Sequence, residues 1–160
     1  MPHYPESIAW ITLRAVYAWM YLYPAVGLIR DWPTTVHTTG LLFKSGTRQF
    51  AIVSVVGMVV CALMILFGFY GEYAAVALVG FNLGGAKIHY QLAEMAHQAQ
   101  LSDAASAEDK AAFQDVVTLG WVGHVTSAQK NFVLAAVALF IALVGTGPWS
   151  LVTSAGIFGP

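Results

Sequence analysis

Ionisable side chains are scarce in this chain, and several fall at spacings that would bring them together. Tyr90, Glu94 and His97 lie at offsets of four and three residues, which places them on one face of a helix. His89 and His124 flank the same region. Groups of these types beside an apolar cleft are what proton transfer at a quinone requires, so Tyr90, Glu94, His97 and His124 form the candidate catalytic set. A His pair can also ligate haem or a metal, but such a site needs further ligands and a supporting shell. Neither an HExxH nor a CxxC spacing is present, and neither haem nor metal is expected. The bland alternative for the four residues is that they face water on a helix extension.

Arg14 anchors a second constellation. On a helix it shares a face with Trp10, Tyr17 and Tyr21, so a stripe of polar-tipped aromatics runs down one side of the segment. An unpaired Arg in hydrocarbon costs several kcal/mol on most scales, roughly 2.5 or more at a span centre. Glu72 is the acid placed to meet it, and a buried Arg14–Glu72 pair is expected. Such a pair is either structural or a site for an anionic or quinone head group. Arg14, Glu72, Tyr17, Tyr21 and His89 are therefore the candidate cofactor-binding residues. Outward snorkelling of Arg14 is the competing reading.

The elements that must carry these residues are apolar. Of 160 residues, 58% are hydrophobic and 9% charged, where soluble domains carry about 25% charge. That composition points to a membrane protein of one domain. The net charge of -1 leaves no basic surplus to track a phosphate backbone, so nucleic acid is not an expected partner. The single cysteine, Cys61, excludes an internal disulfide and reads as a small buried hydrophobe.

Crossing a bilayer core takes about 20 apolar residues of helix. Residues 50–69 and 132–149 meet this without a charge; residues 8–29 contain Arg14, and residues 73–90 contain Lys87 and His89 near their far end. All four are read as spans, giving an all-α, four-transmembrane-helix bundle. The first run lacks a basic n-region and is interrupted by Arg14, which argues against a signal peptide. Arg30, Lys44, Arg48, Lys87, Lys110 and Lys130 all fall on the side of the two long loops. That side is expected to be cytoplasmic in a cell (inner) membrane, with both termini outside.

The connections add detail. Residues 68–71, flanked by glycine, suit a tight hairpin. The Thr-rich stretch after Arg30 reads as a loop or a re-entrant segment. Ser106 followed by Asp109 resembles a capping box, and the apolar spacing through Trp121 predicts an amphipathic helix at the cytoplasmic interface; packing on the bundle's own loops is the alternative. Gly80 and Gly84 form a GxxxG, which marks a packing face, and Asn82 between them is expected to bond across helices.

The Arg14-bearing first helix, the hairpin at residues 68–71 followed by Ala74-Ala75, and the ending Gly145-Thr146-Gly147-Pro148-Trp149-Ser150-Leu151 together resemble the DoxX/DoxD-like membrane proteins. The chain departs from that pattern at Val152, where Asp is common, at Glu72, where a basic residue is common, and in its long insert at residues 98–129. The resemblance implies a four-helix membrane bundle acting as the membrane part of a quinone-linked oxidoreductase, with thiosulfate or another sulfur compound as electron source. No flavin, nicotinamide or iron–sulfur motif is present, so electrons are expected to come from a further membrane or redox subunit. The rival expectation is a non-catalytic assembly or scaffold subunit that docks a partner through the GxxxG face.

Overall fold

The computed structural model describes residues 4–152 and 155–159. Among them the chain forms five α-helices and no strand: α1 (Tyr4–Arg30), α2 (Trp32–Thr39), α3 (Thr47–Phe67), α4 (Gly71–Gln98) and α5 (Ala107–Val144). Local chemistry sets most of the boundaries. Asp31 separates α1 from α2 and accepts from the Thr34 N–H at 3.3 Å, with Pro33 in the first turn where no N–H is needed. The Thr-rich stretch, read from sequence as loop or re-entrant segment, thus contains a short capped helix. Gly68 closes α3 in the left-handed region at φ +61. Its N–H bonds to the Ile65 carbonyl and the Phe69 N–H to the Met64 carbonyl, the paired bonds of a Schellman ending. The tight hairpin follows, and α4 starts at once. Ser106 caps α5, accepting from the Asp109 N–H at 3.1 Å and donating to the Asp109 carboxylate at 2.7 Å.

Helix α1 packs on α3, α3 on α4 and α4 on α5, while α2 lies against α3 and α1. The shared core is rich in alanine, with Ala18, Ala62, Ala75 and Ala138 fully enclosed around Tyr21, Ile65 and Leu78. Small side chains let the helices approach closely. Helix α1 meets α5 through longer side chains, Trp10 stacking on Phe140 with centroids 5.6 Å apart. Outward faces are apolar: Val16, Trp19, Val53, Val56, Val133 and Leu139 are all exposed. Polar side chains are turned inward instead, Arg14, Glu72, Asn82 and Asn131 among them.

Two helices are long and apolar enough to cross a membrane, α3 and α5, with 28% and 33% of their membrane-length stretches buried. Helices α1 and α4 were expected to span as well. They have the length, at 27 and 28 residues, but Arg14 and many Tyr and Trp residues in α1, and Glu72, Asn82 and Lys87 in α4, dilute their apolar character. The expected separation of an interfacial helix from the last span also fails. Helix α5 is one unbroken rod of 38 residues, about 57 Å long at 1.5 Å per residue. Its first half continues the apolar half and packs on the end of α4, where a Cβ on Gly120 would sit 3.6 Å from that of Ala96. The rod stops at Val144; residues 145–149, assigned from sequence to the last span, leave the helix as an irregular strap.

Candidate functional site

The five helices line a half-open cavity of about 680 Å³. Its space comes from missing side chains. A Cβ on Gly27 of α1 or Gly80 of α4 would meet nothing within 4 Å, and one on Gly84 would only touch Leu42 at 3.4 Å. Gly84 is therefore cavity wall, while Gly80, exposed and about 140° around α4 from Gly85, lies only at the rim; neither glycine is buried against another helix. Pro24, also on the wall, has no N–H to donate to the carbonyl of Met20, four residues back. Most of the lining is apolar, with Met20, Leu28, Val55, Met58, Phe81 and Leu134 contributing from α1, α3, α4 and α5.

A hydrogen-bonded chain of buried side chains closes the deep end. Asn82 donates through Nδ2 to the Leu78 carbonyl at 2.6 Å and to the Tyr21 hydroxyl at 2.7 Å. Tyr21 donates to the Tyr17 hydroxyl at 2.7 Å, and Tyr17 to the Leu134 carbonyl at 3.0 Å. These bonds tie α1, α4 and α5 together where the core is otherwise apolar. The Asn82 Oδ1 is buried and has no partner in the protein. At the opposite end, His89 lines the cavity with Asp31, Lys130 and Asn131. The His89 and His124 Nδ1 atoms are 3.3 Å apart, so one ring must donate to the other. Thr35, Thr38 and Thr39 of α2 also line the cavity, and their hydroxyls donate back to backbone carbonyls at 2.8–3.1 Å.

The sequence-derived residues divide between three places. Tyr21 and His89 line the cavity, Tyr17 lies one bond behind Tyr21, and His124 touches His89. Tyr90, Glu94 and His97 do share a face, but it is an exposed one; Glu94 accepts from Gln98 rather than facing a cleft. At about 100° per residue, the α4 positions that face inward are Gly85, His89 and Leu92, and Tyr90, Glu94 and His97 fall well around the helix from them. The expectation that Tyr90, Glu94, His97 and His124 border a single cleft is not met.

Arg14 and Glu72 sit at the other end of the bundle, 3% and 4% exposed, away from the cavity. Their expected ion pair is not formed. The Arg14 guanidinium donates to Ser150 Oγ at 3.0 Å and to the Trp149 and Pro148 carbonyls at 3.2 and 3.4 Å, while Glu72 Oε2 is buried without a partner. The reason is the early end of α5. Carbonyls that leave a helix need donors, and the strap brings Pro148 and Trp149 over Arg14. The strap is held further by the Leu151 and Val152 amides, which donate to the Phe67 and Gly68 carbonyls at 3.0 and 2.9 Å.

Sequence reasoning placed Asn82 in a cross-helix bond, which it makes, but did not see it as part of a site; Pro24, Gly27 and Gly84 were missed as cavity-formers. Among the described residues, no group of three or more His, Cys, Asp or Glu side chains converges as metal donors do. Set against protein-family models, curated proteins and solved structures, the chain matches none.

Proposed function

We propose that the chain is an integral membrane protein in which α1, α3, α4 and α5 all cross the bilayer, and that its cavity binds a quinone-class ligand for a quinone-linked oxidoreductase. The observation that carries this reading is the pairing of a large, mostly apolar cavity with a buried Tyr17–Tyr21–Asn82 chain at one end and the His89–His124 pair at the other. A flat ring with an apolar tail matches that distribution of polar and apolar wall. The inward polar and outward apolar faces of α1 and α4 support their being spans despite their lower hydropathy. With a bilayer core of about 30 Å, the remainder of α5 stands beyond the membrane together with the end of α4. The basic residues of the two long connections support a cytoplasmic location for that end.

In this reading the chain supplies binding and a proton route, and a partner supplies electrons. The Tyr chain ends on a backbone carbonyl and carries no proton further. The His pair, at the cytoplasmic mouth, is the route a proton takes. The resemblance to DoxX/DoxD-like proteins agrees with a quinone-linked role, and the strap that receives Arg14 is the stretch that bears much of that resemblance. Titration of the chain in nanodiscs with a decyl-substituted benzoquinone tests the proposal: saturable, near-stoichiometric binding is expected, and its absence overturns it.

The scaffold reading retains one specific observation. Met95, Val116 and Leu119 are exposed on the projecting α4–α5 hairpin, Leu119 at 72%. A clean apo-protein that binds no quinone but comigrates with a membrane partner through that hairpin would favour it.

A further inference from the structure

We propose that His124 is a positioning residue whose ring decides whether His89 offers the ligand a hydrogen-bond donor or an acceptor, so that one end of the cavity receives both the quinone and the hydroquinone. The inference rests on the quinone reading above and adds to it how the His89 end holds each form.

The way the two rings meet carries the argument. Their Nδ1 atoms are 3.3 Å apart and their centroids 5.5 Å apart, which is the contact distance plus nearly a full ring radius at either end. The imidazoles therefore meet end-on, each Nδ1 aimed at the other. A single proton fits between them, and only one ring can donate it. A neutral imidazole carries one proton in all. The ring that donates through Nδ1 is left with a bare Nε2, and the ring that accepts must carry its own proton on Nε2. In the neutral pair the two Nε2 atoms are thus always opposite in kind, and the state of one fixes the other.

Only one of the rings borders the cavity. His89 is part of its wall and His124 is not. With Nδ1 spent on His124, the nitrogen that His89 has left for a ligand is Nε2, on the far side of the ring. Among the described residues it has no protein partner, and it is not one of the atoms that the fold seals from contact. When His124 donates, His89 presents Nε2–H, which a quinone carbonyl accepts. When His89 donates, its bare Nε2 accepts from a hydroquinone hydroxyl. Passing from the first state to the second moves the bridging proton from His124 to His89, while His89 Nε2 gives up a proton and His124 Nε2 takes one from water, so the pair stays neutral and no electron is involved. His124 Nε2, likewise unpartnered and unsealed, is open to that exchange. The neighbouring groups lack this versatility: Lys130 only donates, Asp31 only accepts, and Asn131 carries the two functions on separate atoms. A wall fixed in one kind would leave one of the two ligand forms unpaired.

The test uses the full chain in nanodiscs with isotope-labelled histidine, read by solid-state NMR at a pH where both rings are neutral. The shifts of the ring nitrogens report which of them carries the proton, and His89→Gln and His124→Gln identify the resonances. With a decyl-substituted benzoquinone bound, His89 is expected to be protonated on Nε2 and His124 on Nδ1. With the corresponding hydroquinone, under argon, both tautomers are expected to reverse. The reversal at His124 is the decisive reading, because a ring that only braces α4 against α5 has no reason to change tautomer with a ligand it does not touch. Saturating binding of both forms with His124 unchanged, or binding of only one form, overturns the proposal and leaves the quinone reading standing. If neither probe binds, the quinone reading itself fails and the proposal with it.

Discussion

Arg14 shows how one buried cation is satisfied without a carboxylate. Its donors reach two backbone carbonyls and a hydroxyl of the strap, and Ser150 Oγ is held in turn by the Thr146 hydroxyl at 2.9 Å. A fork of several N–H groups suits three acceptors spread over consecutive residues, and a lysine does not reproduce it. We therefore expect Arg14→Lys to destabilise the protein nearly as much as Arg14→Leu. In a double-mutant cycle, Arg14→Leu and Ser150→Ala should couple by about 1 kcal/mol. Strictly additive losses in detergent unfolding would show that the contact contributes nothing. This partner left no trace in the sequence, because a backbone carbonyl has no residue type. Glu72 was the visible acid, and its pairing was inferred from charge alone. Tyr17, Tyr21 and Asn82 were legible as polar positions on apolar helices, but not their order of donation, which depends on the Leu134 and Leu78 carbonyls.

At the scale of elements, the turns that close the bundle differ in how tightly they are built. Gly68 and Gly46 both adopt positive φ, at +61 and +66. A Cβ at Gly68 would lie 2.3 Å from Ser150 Oγ and 2.5 Å from Arg14 Nη1, while at Gly46 the nearest atoms are Phe50 ring carbons at 3.6 Å. Gly46→Ala should cost only the backbone penalty of about 1 kcal/mol, and Gly68→Ala clearly more, because the strap must also move. Equal shifts in Tm would contradict this packing. The continuity of α5 has its own test. The Cβ separation of 3.6 Å between Ala96 and a residue at Gly120 falls within disulfide geometry. With Cys61→Ala as background, Ala96→Cys and Gly120→Cys should cross-link within one chain on mild oxidation, and a helix lying flat on the membrane away from α4 would leave both thiols free. Apolar periodicity through residues 107–121 is the same in both arrangements, which is why the sequence showed the helix and its Ser106 cap but not its course. The hairpin at Gly68 and the uncharged run of α3 were readable because each is specified locally.

The whole molecule turns polar groups inward and apolar groups outward, and leaves room in the middle. Where the chain omits side chains decides that room. A GxxxG reads in sequence as a packing face, and here Gly80 faces open space while Gly84 only meets Leu42; an absent side chain predicts close contact and empty volume equally well until the neighbouring helices are placed. The proposed orientation in the membrane rests on the basic residues, so Ser45→Cys in the Cys61→Ala background should resist an impermeant thiol reagent added outside intact cells. Labelling from outside would invert the topology and move the His89–His124 mouth to the other side. The claim on which the account depends most is that the cavity is the ligand site, and Gly27→Leu tests it directly, because Gly27 lies on the α1 face that carries Pro24 and Leu28 of the lining. The added side chain meets no atom within 4 Å at its Cβ and replaces a helical glycine, so stability should hold or rise by up to about 1 kcal/mol. Binding of the decyl-substituted benzoquinone, measured by titration in nanodiscs, should weaken at least tenfold in this variant; wild-type affinity in a Gly27→Leu protein of undiminished Tm would contradict the assignment of the cavity as the site.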